Sequence, residues 1–362
     1  YRYNNGTALM LRVLHVIRPS VGGMLRSVEL LTSHLGEHNI KADIADKDLI
    51  PARPSFGQDR KAAHQLRLIA KDYDLIHAHG YRGAWVAGWA LNSIKPWIWT
   101  AHNLYSIPSG SIARLFINTI FHRLERSSRA CIAVSKAVAL SLEKSGIEKT
   151  KINEIYGGID LSAFENETKK TEARQSLGIA EIAPTIAAVG RFAPEKGFDI
   201  MLQAMEILWD TVPDAIALFA GDGPMREELM KQTCKLSKPD QIRFLGFINP
   251  PDDVYAAADV VCVPSRAEGL GMTAIEAMAS SRPVVAFNVG GLSEVISNER
   301  TGLIVEPNNP DALAQSLALL LKDRSKAMTL ALAGRQYACQ QFDIRRTASE
   351  TASLYQKVIT SA

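Results

Sequence analysis

Cysteine is scarce and scattered in this chain. The four cysteines, Cys131, Cys234, Cys262 and Cys339, form no Cys-x-x-Cys and no mixed Cys/His cluster. That spacing excludes a zinc ribbon and a disulfide-stapled scaffold. Cys131 and Cys262 sit inside apolar runs and read as small core hydrophobes, which suits a reducing cytoplasm. No apolar run approaches the roughly 20 residues that a membrane-spanning helix needs. The polar stretch from Tyr1 to Met10 lacks a signal-peptide profile and reads as a short extension. G-x-G-x-x-G is missing, which disfavours a dinucleotide oxidoreductase, and so are a P-loop, G-x-S-x-G and H-E-x-x-H. The strand-end loops read as lacking an Asp-x-Asp anchor for Mg²⁺ or Mn²⁺, so no metal is expected.

What is present is globular composition on the scale of two domains. The chain has 362 residues, 47% hydrophobic and 22% charged, enough apolar material for two cores. The net charge of +3 hides an asymmetry. Residues 1–170 carry 23 Lys and Arg against 15 Asp and Glu, and the remainder 18 against 23. A basic first half suits an anionic partner, such as a phospholipid surface or an acidic acceptor; ordinary surface variation explains it equally.

Short apolar runs and helical patterns alternate along the whole length. The first strand, Leu11–Ile17, ends at Gly22-Gly23 and leads into a helix from about Met24. Further strands are expected at Lys41–Ala45, Leu75–Ala78, Pro96–Ala101 and Cys131–Val134. Arg114 to Arg129 reads as an amphipathic helix, with Leu115, Phe116, Ile120, Phe121 and Leu124 on one side and arginines elsewhere. Such a helix either lies on a membrane surface or packs as a domain helix with a solvated face. Glu165 to Arg174 is polar and lysine-rich and reads as a linker. A second alternating block then runs from Thr185 to Gln341, and a last helix covers Ile344–Ile359. Two blocks of βα alternation predict an α/β protein of two Rossmann-like doubly wound domains facing each other across a cleft. Residues 1–165 form the first domain, with 342–362 expected to pack back onto it, and 166–341 form the second.

The stretch from Val261 to Val295 holds the densest chemistry. A buried strand ends at Pro264, a glycine-interrupted loop carries Glu268, and a helix with Glu276 follows. In an open α/β sheet the ligand crevice lies at such a strand end. Glu276 is open to two readings, as a holder of ligand hydroxyls or as the closing residue of a Thr273-x-x-Glu276 capping box. The amides near Gly271, Met272 and Thr273 form a helix N-terminus that favours phosphate. Arg191 and Lys196 leave another strand end five residues apart and could converge on one polyanion, or line a solvated loop. Gly22 and Gly23 permit close approach of an anion, or simply make a tight turn. His77 and His79 share a strand face, but two histidines without a third ligand make a poor metal site. His102, just past a strand end, has the place of a structural hydrogen-bonder.

Together these residues resemble the retaining glycosyltransferases of family 4, which have the GT-B fold. The resemblance covers nearly the whole chain. It is carried by Gly22-Gly23, by His102 in a T-x-H position, and by Gly190-Arg191 with Lys196. Ala220-Gly221-Asp222-Gly223-Pro224, Leu245-Gly246-Phe247, the Glu268-x7-Glu276 pair and Asn288-Val289-Gly290-Gly291-Leu292-Ser293-Glu294 complete it. It departs from the family at Gly157, Arg266-Ala267 and Leu270, none of which removes a charge needed at a donor site.

The resemblance implies a nucleotide-sugar donor, most simply a UDP-sugar, bound mainly by the second domain. Arg191 and Lys196 would neutralise its diphosphate, with Gly22, Gly23, Gly190, Gly221, Gly271, Met272 and Thr273 completing the donor site. Glu276 would hold the ribose, Glu268 the donor sugar, and the backbone near Phe247 the base. His102 would stand beside the reacting sugar, making His102, Arg191, Lys196 and Glu268 the catalytic set. Transfer would proceed with retention, without a cofactor or an obligatory metal, to a glycan or lipid-linked acceptor for a cell-surface polysaccharide or lipopolysaccharide. The expected setting is the cytoplasm, peripheral on the inner face of the plasma membrane, with no nucleic-acid partner. Two alternatives stay open: a GT-B nucleotide-sugar epimerase, and a non-catalytic subunit that binds nucleotide sugar or membrane.

Overall fold

The computed structural model describes residues 3–4, 7–8, 10–19, 23–91, 94–105, 111–164 and 170–361, with the backbone alone for 3–4, 7–8 and 111–118. The chain divides into two compact units, 1–159 with 342–362, and 160–341.

The first unit begins with a small antiparallel hairpin of β1 (Tyr3–Asn4) and β2 (Thr7–Ala8). A parallel sheet follows, built from β3 (Leu11–Val16), β4 (Ile40–Ile44), β5 (Leu75–His79), β6 (Trp97–Ala101), β7 (Ala130–Ala133) and β8 (Ile152–Glu154). Its order is β4-β3-β5-β6-β7-β8. Helices α1 (Gly23–His34), α2 (Phe56–Ile69), α3 (Gly80–Leu91), α4 (Ser111–Ser127) and α5 (Lys136–Lys144) lie between the strands. Central strands covered on both faces read as unbroken apolar runs, and every residue of β6, Trp97 and Trp99 included, is buried. On α4, Ile120, Phe121 and Leu124 are buried and Arg123 and Arg126 exposed, as is Arg129 just past its end. The side chains of Arg114, Leu115 and Phe116, like the whole of Gly22, lie outside the described residues.

The second unit repeats the scheme with β9 (Thr185–Val189), β10 (Ile216–Ala220), β11 (Ile242–Gly246), β12 (Val260–Val263), β13 (Val284–Phe287) and β14 (Leu303–Val305). The order is β11-β10-β9-β12-β13-β14, all parallel. Its helices are α6 (Lys170–Ser176), α7 (Phe198–Leu208), α8 (Arg226–Thr233), α9 (Asp252–Ala257), α10 (Met272–Ala279), α11 (Leu292–Val295), α12 (Pro310–Lys322) and α13 (Arg324–Gln341). Ile186, Phe198, Met201, Phe219, Val260 and Phe287 anchor a core that α7 and α12 help to cover.

Among the differences from the sequence expectation, α6 and β14 have a plain physical reason. The stretch assigned to a linker contains α6, because Lys170 and Arg174, one helical turn apart, both pair with Asp259. Arg174 is itself buried and also donates to the carbonyl of Ala257 at 3.0 Å. Residues 165–169 of that stretch lie outside the described residues. The edge strand β14 is only three residues long, too short to stand out as an apolar run.

The last helix, α14 (Ile344–Thr360), belongs to the first unit. Ile344, Ala348, Ala352, Leu354, Tyr355 and Val358 pack with Val13, Leu75, Ile98 and Ile132 in one core. The Ile344 amide donates to the Ile159 carbonyl at 3.0 Å, and the Ile159 amide donates to the Phe342 carbonyl at 2.8 Å. That approach needs a glycine beside it, since a Cβ on Gly158 would lie 2.6 Å from the backbone of Ile344. Gly158→Ala should therefore cost about 1–3 kcal/mol by overpacking. Urea unfolding followed by tryptophan fluorescence checks this, since four of the five tryptophans (Trp85, Trp89, Trp97, Trp99) lie in the first unit; an unchanged midpoint would contradict the backbone contact.

Candidate functional site

Each sheet has one place where successive connections leave in opposite directions. In the second unit it lies between β9 and β12: the chain runs outward from β9 to β10 and β11, then returns to β12 and runs the other way. Loops that leave strand ends at such a switch point diverge and open a ligand crevice. The loop after β9 carries Gly190, Arg191 and Lys196, and the loop after β12 carries Glu268 and Gly271.

These two loops are joined by charge. Lys196 Nζ meets Glu268 Oε1 at 2.5 Å, with the carboxylate largely shielded from solvent. Ser265 Oγ donates to the same oxygen at 2.8 Å. Among the described residues no bond is assigned to Oε2, which stays available to a hydroxyl. Behind them Arg266 closes a two-pronged pair on Asp199 at 2.7 and 2.8 Å. Arg266 also donates to the Pro194 carbonyl at 2.8 Å and to Asn308 Oδ1 at 3.0 Å, and its amide donates to the Glu195 carbonyl at 2.8 Å. Burial would raise the Asp199 carboxyl, but the Arg266 fork outweighs it and holds the group below its ordinary range. Arg266 stood in the sequence only as a departure from the family pattern. Its holding role depends on a partner 67 residues away, which no local spacing reveals.

The other residues that the resemblance assigns to a donor have the following surroundings. Arg191 does not share the partner of Lys196; it pairs with Glu195, one turn on, at an exposed position. A polyanion meeting both cations must compete with Glu195 and Glu268, and the exposed pair yields easily because such pairs are worth about 0–1 kcal/mol. The capping-box reading of Glu276 does not hold. The helix α10 starts at Met272 with Gly271 as its N-cap, so Thr273 is inside the helix and donates to the Val189 carbonyl at 3.3 Å. Glu276 instead accepts a hydrogen bond from the buried Tyr255 hydroxyl at 2.8 Å. Gly271 has φ 101°, and a Cβ there would meet Leu292 at 2.5 Å, so only glycine starts this helix.

Gly221 acts through packing: a Cβ would lie 1.8 Å from the Gly190 carbonyl oxygen. Its amide donates to Gly246 at 2.7 Å, and that of Gly190 donates to Ala220 at 2.9 Å, which ties three strand-end loops together. Phe247 follows Gly246 and is 57% exposed as a residue, free to meet a flat group. The glycine pair 290–291 buttresses the Glu268 loop, since the Gly291 amide donates to the Glu268 carbonyl at 3.2 Å.

In the first unit the switch point lies between β3 and β5, and histidines collect there. His15 pairs in register with His77. His15 Nδ1 lies 2.8 Å from His79 Nε2, and His79 Nδ1 lies 3.2 Å from His102 Nε2. His77 is held by the Tyr355 hydroxyl at 2.6 Å and by Thr100 Oγ1 at 2.7 Å. The sheet thus supplies the third histidine that sequence spacing lacked, and His15, His77 and His79 offer nitrogens within 4.8 Å of one another. A metal there would have to displace existing bonds, because every ring nitrogen of the three except His15 Nε2 already has a partner. Burial drives all four histidines toward the neutral form, His15 down to about 3, His102 to about 4, and His77 and His79 well below the usual range. Gly23 opens α1 at an exposed position. One Asp-x-Asp does follow a strand, Asp46-Lys47-Asp48 after β4, contrary to the sequence expectation. Asp46 Oδ1 there accepts the Asp48 amide at 2.9 Å, a local turn bond.

Comparison with known proteins places both units. A family described as "Glycosyltransferase Family 4" matches residues 14–163, and one described as "Glycosyl transferases group 1" matches 169–337. The D-inositol 3-phosphate glycosyltransferase of Corynebacterium urealyticum is 31% identical over 314 residues, covering 80% of this chain and 72% of that protein. The lipopolysaccharide core mannosyltransferase LpsB of Rhizobium meliloti is 32% identical over 212 residues, 57% of this chain and 60% of the relative. Among solved structures, Anabaena HepE in complex with UDP-glucose aligns with a TM-score of 0.83 at 23% identity, covering 96% of this chain and all of that one. The fold is therefore the two-domain GT-B fold.

The buried histidines set a pH dependence. A folded-state pKa below the unfolded value means that the unfolded chain binds more protons as pH falls, so stability is full above about 6.5 and drains away below it. Each such group removes up to about 1.4 kcal/mol per pH unit down to its folded value. Urea unfolding of the first unit, followed by tryptophan fluorescence, should weaken by more than about 1 kcal/mol between pH 6.5 and 5; a flat profile there would show that the histidines are charged or open to water.

Proposed function

The chain belongs to the family 4 glycosyltransferases, and on that premise we propose that it moves a sugar from a UDP-sugar, with retention, to a glycan or lipid-linked acceptor. The observation that carries this reading is the convergence of Lys196 and Glu268 at the switch point between β9 and β12, beside Arg191 and the N-terminus of α10. HepE, crystallised with UDP-glucose, supports the choice of donor. LpsB, which works on lipopolysaccharide core, supports a cell-surface glycan as product.

The chemistry follows from where charge develops. Breaking the bond between the sugar and the diphosphate leaves positive charge on the sugar and negative charge on the departing phosphate oxygen. Arg191, Lys196 and the amides opening α10 at Met272 and Thr273 stabilise that oxygen. The acceptor hydroxyl adds on the same face, and the departing phosphate oxygen takes its proton. No protein nucleophile and no metal enter the step. Glu268, its Oε1 held by Lys196 and Ser265, turns Oε2 to a sugar hydroxyl. Paired carboxylates for acid and nucleophile work are not the reading here, because Lys196 binds one of the two and Tyr255 the other. Glu276 holds the ribose, Phe247 marks the base, and His102 stands beside the reacting sugar.

A peripheral place on the cytoplasmic membrane face fits the same reading. Among the described residues no helix is long and apolar enough to cross a membrane. The described apolar residues of α4 are buried in the unit's own packing, so contact with lipid rests on the exposed Arg123, Arg126 and Arg129 by charge alone. Each is worth about 1 kcal/mol near an anionic surface.

Two measurements test these assignments. Lys196→Ala and Arg191→Ala should each lower kcat by about 100-fold or more with the fold intact, and Glu276→Gln should raise the donor KM by about 10-fold, the worth of one charged hydrogen bond; near-normal turnover of UDP-sugars in the cation variants would remove the diphosphate assignment. In vesicle flotation, binding should need anionic lipid and fall when Arg123, Arg126 and Arg129 are replaced together by Gln; binding to neutral vesicles, or none to anionic ones, would discard the charge-based membrane contact.

A further inference from the structure

We propose that His15 and His79 form a fixed chain of neutral imidazoles that sets the tautomer of His102, so that His102 carries its proton on Nδ1 and meets its ligand as a hydrogen-bond donor. The place of His102 beside the reacting sugar rests on the function proposed above; the direction of the chain does not.

The argument is a count of protons. A neutral imidazole has one N–H donor and one bare acceptor nitrogen. His79 uses both of its nitrogens on other imidazoles, Nε2 toward His15 Nδ1 at 2.8 Å and Nδ1 toward His102 Nε2 at 3.2 Å. With a single proton, His79 must accept from one neighbour and donate to the other. Only two arrangements satisfy both bonds. In the outward one, His15 donates from Nδ1 to His79, and His79 donates from Nδ1 to His102. His102 then accepts on Nε2 and keeps its own proton on Nδ1, while His15 Nε2 is a bare lone pair. In the inward one every proton is reversed, and His15 Nε2 becomes an N–H.

The far end of the chain decides between them. His15 is fully buried on β3, and its Nε2 has no hydrogen-bond partner among the described residues. The inward arrangement would strand a buried N–H donor there with no acceptor, the kind of orphan that is rare among buried backbone donors. The outward arrangement strands only a lone pair. Neighbouring residues keep the chain in place. The ring of His77 lies 4.1 Å from that of His79, centroid to centroid, and is itself pinned between Thr100 and Tyr355. Burial keeps each imidazole uncharged near neutral pH, as the count requires. At the near end, His102 is only partly buried, and its Nδ1 has no partner among the described residues. That nitrogen is the one the chain leaves for a ligand. As an N–H it can donate to a sugar hydroxyl or a phosphate oxygen, and it cannot act as a general base. This agrees with a reaction in which the leaving phosphate takes the acceptor proton.

The test is nitrogen-15 NMR of histidine side chains in the full-length labelled protein at neutral pH, with His102 assigned by loss of its signals in His102→Gln. The expected spectrum has His102 and His79 protonated on Nδ1 and unprotonated on Nε2. Protonation of His102 on Nε2 overturns the proposal with no variant needed. Stoichiometric zinc in the purified protein, lost in His15→Ala, also overturns it, because a metal would take the lone pairs that the chain uses. His79→Asn places an amide N–H where His79 has Nδ1 and should preserve the His102 tautomer; His79→Leu should scramble it and lower kcat by about 10-fold or more with donor KM changed less than about threefold, the direction seen when an oriented histidine tautomer is lost. Scrambling in the Asn variant but not in the Leu variant would refute the chain. If His102→Ala turns over normally while the wild-type tautomer is as expected, the chain stands and only the place of His102 beside the sugar falls.

Discussion

The two-pronged pair between Arg266 and Asp199 is the contact on which the loops at the switch point between β9 and β12 depend. It joins the loop after β12 to the helix that follows the loop after β9. The same guanidinium reaches the Pro194 carbonyl and Asn308, so one side chain stitches three segments together. A planar fork with five donors suits that work, where lysine would supply a single point charge. Lys196 and Glu268 meet within reach of each other because the two loops cannot drift apart. The glycines around them work toward the same end. Gly221, Gly271 and Gly291 each stand where a Cβ would strike a neighbouring loop or side chain, so the loops close to backbone distance.

The first unit solves a different problem, the burial of several histidines inside a sheet that is otherwise apolar. Placing polar rings there is costly unless they bond. They bond to one another and to Thr100 and Tyr355. Tyr355 lies on the last helix of the chain, so the C-terminal segment both completes the apolar core and satisfies a ring nitrogen of β5. Polar satisfaction in this sheet thus reaches from the second strand pair to the chain's end, and it terminates at His102 beside partly open surface.

Much of the fold was legible before any coordinates. Runs such as Trp97–Ala101 and Val260–Val263 announce strands covered on both faces, and the alternation with helical periods points to parallel sheets. The glutamate pair and the Arg191–Lys196 loop stood out as charged residues near strand ends, and the resemblance to the family gave them an expected place at a donor. Less was visible where short range misled. Thr273-x-x-Glu276 has the letters of a capping box, yet Gly271 begins the helix and Tyr255 claims the carboxylate. Lys170 and Arg174 look like linker charge, yet Asp259, more than eighty residues on, draws them into a helix.

The sequence was enough for the kind of protein this is: apolar periodicity is local and marks two doubly wound units, and the motifs at the strand ends carry the resemblance to a family of sugar-transferring enzymes. Tertiary structure alone decided which charges meet. Strand order brings β9 beside β12 and β3 beside β5, and that order is a matter of crossover connections, which leave no trace in local spacing. Hence the third histidine, the Arg266 fork and the partner of Glu276 came only from the folded chain. A side chain's hydrogen-bond partner depends on what packs against it, and packing brings together residues that sequence keeps far apart.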